Sequence, residues 1–93
     1  MTRIEQDRAQ AAIHTLRANW LVRRDLDCDG ALEVVWQKNR HKPGYQTVRC
    51  LVTSDRWVVM KYSPERKRGP FRGRGWAKAC AAAVVEMMEA DDG

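Results

Sequence analysis

The sequence predicts an α+β fold in the order α-β-β-β-α, a three-stranded antiparallel meander packed against two helices. Three observations predict it. An apolar stripe of helical spacing opens the chain. Three short runs rich in β-branched and aromatic residues follow, each closed by turn-forming residues. A second helical stripe, rich in alanine, follows them. Ninety-three residues allow one domain, 1–93, whose core is too small to enclose a large cofactor.

Thr2-Arg3-Ile4-Glu5 is a capping-box pattern, with Thr2 as N-cap and Glu5 reaching back. Ile4, Ala9, Ala12, Ile13, Leu16 and Trp20 then recur at helical spacing with no Gly or Pro among them. A helix is expected over 3–23, with Ile13, Leu16 and Trp20 facing the core. Asp25-Leu26-Asp27-Cys28-Asp29-Gly30 then turns the chain. Its alternate carboxylates match the opening of a calcium loop, but the bidentate acid needed at the twelfth place falls on Trp36. A polar turn with Gly30 at a special backbone angle is the expected reading.

Leu32, Val34 and Trp36 alternate on the first strand, 32–37. A basic loop, 38–44, ends on Pro43-Gly44. The second strand covers 45–53, with Val48, Cys50 and Val52 on one face. Ser54-Asp55 is a hairpin turn into the third strand, 56–62. Short connections make the three strands antiparallel neighbours. Trp76, Ala77, Cys80, Ala81, Val84 and Met88 place the last helix over 76–89, and its small side chains suit close packing on a sheet. Asp91-Asp92-Gly93 is an acidic end that opposes the helix dipole. Either Trp36 or Trp57, if fully buried, is worth about 3–5 kcal/mol to the fold.

The chain is organised around the basic Gly/Arg-rich loop 63–75, which holds Arg66, Lys67, Arg68, Arg72 and Arg74 and leads to Lys78 one turn into the helix. Three glycines and two prolines keep most of the loop irregular. Cationic side chains before a helix start favour phosphate. Arg74 and Lys78 are expected to be held by the helix, and Arg66 to Arg72 to order when a partner arrives. Net charge is +5. It is uneven: residues 31–62 carry six basic and two acidic groups, 63–75 five and one, and 76–93 one and four. A polyanion or an acidic protein face is the implied partner.

Other chemistries find no support. No Ser, His and acid form a catalytic pattern, no Gly-x-x-x-x-Gly-Lys loop exists, and Gly69, Gly73 and Gly75 follow no parallel βαβ unit. No enzyme, catalytic residue or cofactor is expected. The three cysteines are widely spaced, with no Cys-x-x-Cys, so neither zinc nor a disulfide framework is expected. Cys50 and Cys80 are expected as small buried hydrophobes. No leader pattern and no apolar run near the ~20 residues of a membrane span occur, so the expected setting is the cytoplasm.

The order α-β-β-β-α, together with Arg40-His41-Lys42-Pro43-Gly44 and Arg74-Gly75-Trp76-Ala77-Lys78 before an alanine run, resembles the double-stranded RNA-binding domain. That family reads A-form shape with its first helix, the loop between its first two strands and the basic start of its last helix. The resemblance implies that Arg74 and Lys78 match phosphate-binding lysines and that His41 reaches a groove edge. Gly75 stands where the family has its middle lysine, and the connection 63–72 is longer than the family's. The expected function is therefore non-catalytic binding of nucleic acid through phosphate, duplex RNA-like or DNA. Its contacts are Arg40, His41, Lys42, Arg66, Lys67, Arg68, Arg72, Arg74 and Lys78.

A second reading is a phage or mobile-element accessory protein, similar to anti-CRISPR proteins, that inhibits a bacterial protein or nucleoprotein complex by binding it. Small, tryptophan-rich chains without catalytic residues suit that role, with exposed Trp or Arg as anchors. A bare sheet face showing Val35, Leu51 or Val58 would invite a homodimer.

Overall fold

The computed structural model describes residues 1–25, 30–60 and 65–90. Its elements are α1 (Arg3–Leu16), β1 (Leu21–Arg24), β2 (Leu32–Lys38), β3 (Gln46–Val52), β4 (Val58–Met60), β5 (Lys67–Arg68) and α2 (Trp76–Glu89). The fold is α+β, with the helix, strands, helix order expected and an antiparallel sheet throughout. The sheet has five strands rather than three, in spatial order β1-β2-β3-β4-β5. Residues 26–29 of the acidic turn, 61–64 after β4 and the acidic end 91–93 lie outside the described residues. Gly30 has φ +76, as the turn reading requires.

β1 stands where the first helix was expected to continue. The capping box at Thr2 and Glu5 forms, but Arg17 leaves helical angles (φ −143, ψ 85) and α1 ends at Leu16. No Gly or Pro marks that end. The cause is tertiary: Val22 pairs with Val34 and enters the core. The Trp20 carbonyl lies 2.9 Å from His14 Nε2, which ties the turn back to the helix. Leu16 is 43% exposed instead of buried, while Trp20 is 3% exposed and stacks on Trp36 at 5.3 Å. β5 forms inside the basic loop because Lys67 and Arg68 pair with Val59 and Val58.

The register sorts the two sheet faces. Val22, Val34, Cys50 and Met60 lie in one row across four strands, all buried. The row Leu32, Val52 and Val58 is buried beside it, with Arg24 and Arg68 at its ends. α2 packs over β3 and β4 through Cys80, Ala81, Val84 and Met88, and α1 packs against α2 with Ala9 and Ile13 in the same core. Val58 is thus covered, contrary to its place among the candidates for a bare face. The opposite face carries the row Arg23, Glu33, Leu51, Val59 and Lys67.

Both helices start at one end of the sheet. The Met1 ammonium donates to the Ser54 carbonyl at 3.2 Å, and Trp76 begins α2 beneath Arg56. Their C-terminal ends are joined by a bidentate pair, Arg17 to Glu89, at 2.5 and 3.0 Å. The β3–β4 connection, 53–57, marks the turn end of the sheet, and the β2–β3 loop, 39–45, marks the hairpin end.

Candidate nucleic-acid interface

The hairpin end is an open loop. Asn39 (φ 58) and Gly44 (φ 74) take left-handed angles, and the Lys42 N–H donates to the Asn39 carbonyl at 2.9 Å. Asn and Gly tolerate that region best, so the loop closes without strain. Arg40, His41 and Lys42 are exposed on it. The Lys38 amine lies 5.9 Å from the Trp36 ring, whose neighbour is Trp20. Beside them is a hollow of about 410 Å³ lined by Asn19, Leu21, Val35, Trp36, Gln37 and Arg40.

The turn end is stitched together by Arg56. Its φ is +63, unusual for a residue with a side chain. Its guanidinium lies 4.2 Å from the Trp76 ring centroid and pairs with Glu5. Glu5 also closes the capping box, accepting from the Thr2 N–H at 3.1 Å. The Arg56 carbonyl accepts from the Phe71 N–H at 3.4 Å. A Cβ at Gly69 (φ +122) would stand 2.8 Å from that carbonyl, so only glycine fits. The Gly69-Pro70 bond is cis. The β4–β5 pairing and the Phe71–Arg56 hydrogen bond tie the stretch expected to be a free arm to the turn as far as Phe71, and buried Trp76 anchors its far end.

Arg72 and Arg74 lie between these two ties and Lys78 one turn beyond, all exposed. No side chain caps α2 at Gly75, and its first turn holds no acid. Its first amides and dipole add to the positive charge there. Nearby is a hollow of about 570 Å³ lined by Glu5, Ser54, Asp55, Arg56, Trp57, Phe71 and Arg72.

Between the ends, cations face groups of the protein itself. The Lys67 amine lies 4.3 Å from the Trp57 ring centroid. Arg68 pairs with Glu86 at 2.8 Å, and the Arg66 carbonyl accepts from the Met60 N–H at 3.2 Å. On the open face, Glu33 is 6% exposed and receives Arg23 at 2.6 Å and Arg49 at 3.3 Å. A buried carboxylate needs such partners.

The nine expected contact residues fall into three groups. Arg40, His41 and Lys42 are at the hairpin end; Arg66, Lys67 and Arg68 run along the β4 edge; Arg72, Arg74 and Lys78 are at the turn end. The outer groups are not brought together. The six residue steps from Lys38 to Leu32 alone span ~20 Å. The double-stranded RNA-binding resemblance needs the 40–44 loop beside the start of the last helix. Here β5 adds a third strand between that loop and the last helix, which places α2's start at the opposite end of the sheet.

Sequence reasoning left Arg56, Arg23, Arg49 and Glu33 out of the site. Glu33 carried a signal, a lone acid among Leu32, Val34 and Val35. Its two arginines come from separate strands and carried none. Among the described residues, no three His, Cys, Asp or Glu side chains gather to hold a metal. Cys50 and Cys80 are free and buried, and burial pushes both thiols up to about 12. No described helix is long and apolar enough to cross a membrane. Comparison with known protein families, with curated proteins and with solved structures finds no significant match.

Proposed function

We propose that the protein is a non-catalytic, cytoplasmic module that binds nucleic acid through phosphate, without base readout. One observation carries this reading. Arg72, Arg74 and Lys78 surround an uncapped helix start and form no ion pair with any described residue. Arginine forks suit phosphate oxygens, and a backbone tied on both sides lowers the cost of ordering them. Lys67 and the hairpin residues Arg40 and Lys42 extend the positive surface. Gel-shift titrations with duplex RNA, duplex DNA and single strands at two salt concentrations test it. The expected result is a shift at low salt that weakens steeply at higher salt. No shift with any of them at low salt would sink the reading.

The open sheet face favours a second reading, a protein partner of the phage accessory, anti-CRISPR-like kind. Leu21 is exposed and Val35, Leu51 and Val59 are half-buried there, with Arg23, Arg49 and Lys67 among them. Apolar residues within a charged rim are the usual form of a protein contact. Copurification of one stoichiometric bacterial protein that survives nuclease and is lost on Leu51→Asp supports this reading. Loss of all partners on nuclease treatment overturns it.

A further inference from the structure

We infer that the turn end takes an unpaired base of a single-stranded nucleic acid, stacked on Trp57 in the hollow that Trp57 and Phe71 line, with the adjoining phosphates on Arg72 and Lys67. This rests on the phosphate-binding reading above and names the form of nucleic acid that suits it. Trp57 carries the inference. It precedes β4 and, by the alternation of a strand, lies on the side of Val59, opposite buried Val58. Trp36 and Phe71 pack against the buried core, whereas Trp57 stands apart from it. Its ring is half-buried, and the Lys67 amine lies 4.3 Å from the ring centroid.

The lining of the hollow, about 570 Å³ in volume, favours a base over a phosphate. Arg56 and Arg72 line it, but so do Glu5 and Asp55, so two cations face two carboxylates. A flat, nearly neutral ring suits such a space. A phosphate gains little inside it and more outside, on exposed Arg72, Arg74 and Lys67. Ser54 and Asp55 on the wall are exposed and offer acceptors to the amino groups of a base.

The hairpin-end hollow offers less, because its Trp36 is already stacked on Trp20 at 5.3 Å and rests on the core. In a duplex each base is paired and stacked on its neighbours, so its face is not available to a side chain. In a single strand it is, and every base has such a face, so the contact reads no sequence. An exposed cation–π contact is weaker than a base–aromatic stack. The base therefore displaces the Lys67 amine, whose flexible stem lets it meet the next phosphate.

The test uses the whole chain at low salt with a DNA strand, the same strand made abasic along its central run, and the same strand carrying 5-iodouracil, which crosslinks under ultraviolet light to an aromatic ring stacked on it. The wild-type protein is expected to bind the ordinary strand about tenfold more tightly than the abasic one, which keeps the phosphates and lacks the stack. In Trp57→Leu that ratio is expected to fall to about one. Peptide mapping of the wild-type crosslink is expected to find Trp57 or Phe71, with unlabelled RNA or DNA strands suppressing it; this readout decides even if the variant fails to fold. Equal binding of the ordinary and abasic strands by the wild type overturns the inference and leaves the phosphate reading standing. A ratio kept in Trp57→Leu, a crosslink confined to other residues, or an equal crosslink from the same base inside a duplex also overturns it. No binding of any strand or duplex overturns both.

Discussion

The two ends of the sheet carry similar charge on different foundations. At the turn end, Arg72 and Arg74 sit on backbone tied on one side by the Phe71 hydrogen bond to Arg56 and on the other by Trp76, 6% exposed. At the hairpin end every residue from Asn39 to Thr47 is exposed, and the loop rests on its own turn bond. A cation on tied backbone spends less entropy on binding; a projecting loop adapts at higher entropic cost. The difference separates a docking end from a reaching end, and variants can break or sharpen it.

The largest expected effect lies beneath the docking end. Trp76→Ala removes a buried ring and the surface on which Arg56 lies, and should cost about 3–5 kcal/mol in urea unfolding. Trp57→Ala, at a half-buried ring, should cost about 1–2 kcal/mol. Equal costs would mean that the two rings support the turn alike.

Next come the exposed cations. Arg72→Ala/Arg74→Ala/Lys78→Ala should lower the log–log salt slope of binding by about 2–3, and Arg40→Ala/Lys42→Ala by about 1–2. Each should leave stability within ~0.5 kcal/mol, read by thermal melting. A larger loss at the hairpin would reverse the ranking of the two ends.

Arg56 offers a finer cut. Arg56→Ala loses the Glu5 pair and the Trp76 contact while keeping a side chain at positive φ, and should cost about 1–2 kcal/mol. Arg56→Gly loses the same contacts but relieves the backbone, and should be milder by about 1 kcal/mol. Urea midpoints of the two variants measure the difference. An Ala variant as stable as the Gly variant would show that the turn bears no strain.

The smallest effect is expected where the helices end. The Arg17 guanidinium, by its hydrogen bonds, holds the Glu89 carboxyl below its ordinary value. Stability from this pair is fully present above the unfolded carboxylate value of about 4.3 and fades as pH falls through the lower folded value. Glu89→Gln should remove that acid-side component from melting curves taken between neutral and acidic pH. Unchanged curves would mean that this exposed pair contributes nothing measurable.

Much of the fold was legible because its signals are local. Thr2 and Glu5 mark the start of α1, Pro43-Gly44 and Ser54-Asp55 bracket β3, and the Trp76, Cys80, Val84 and Met88 spacing marks α2. The end of α1 was not legible, since nothing in residues 17–23 breaks a helix. Only the pairing of Val22 with Val34 makes a strand of them. β5 was hidden for a similar reason, two charged residues recruited by Val58 and Val59. The candidate site was legible as composition and not as arrangement. The sequence reading puts two strands between Arg40 and Arg74, which would leave them at one end; β5 makes three, and the odd count sends them to opposite ends.

The strand order has a further consequence for how the chain reaches this structure. Each strand pairs with its neighbour in sequence, so the sheet can assemble hairpin by hairpin with short loops to close. The docking of α1 on α2 is the exception, and the Arg17–Glu89 pair closes 72 residues. Such contacts form late when the nucleus is local. Ile13→Val, on the buried face of α1, should then speed unfolding in stopped-flow mixing and leave the folding rate nearly unchanged. A slowed folding limb would place the helix pair in the nucleus. On the expected order, the meander forms first, and α1 closes over the core only once α2 is there to receive it.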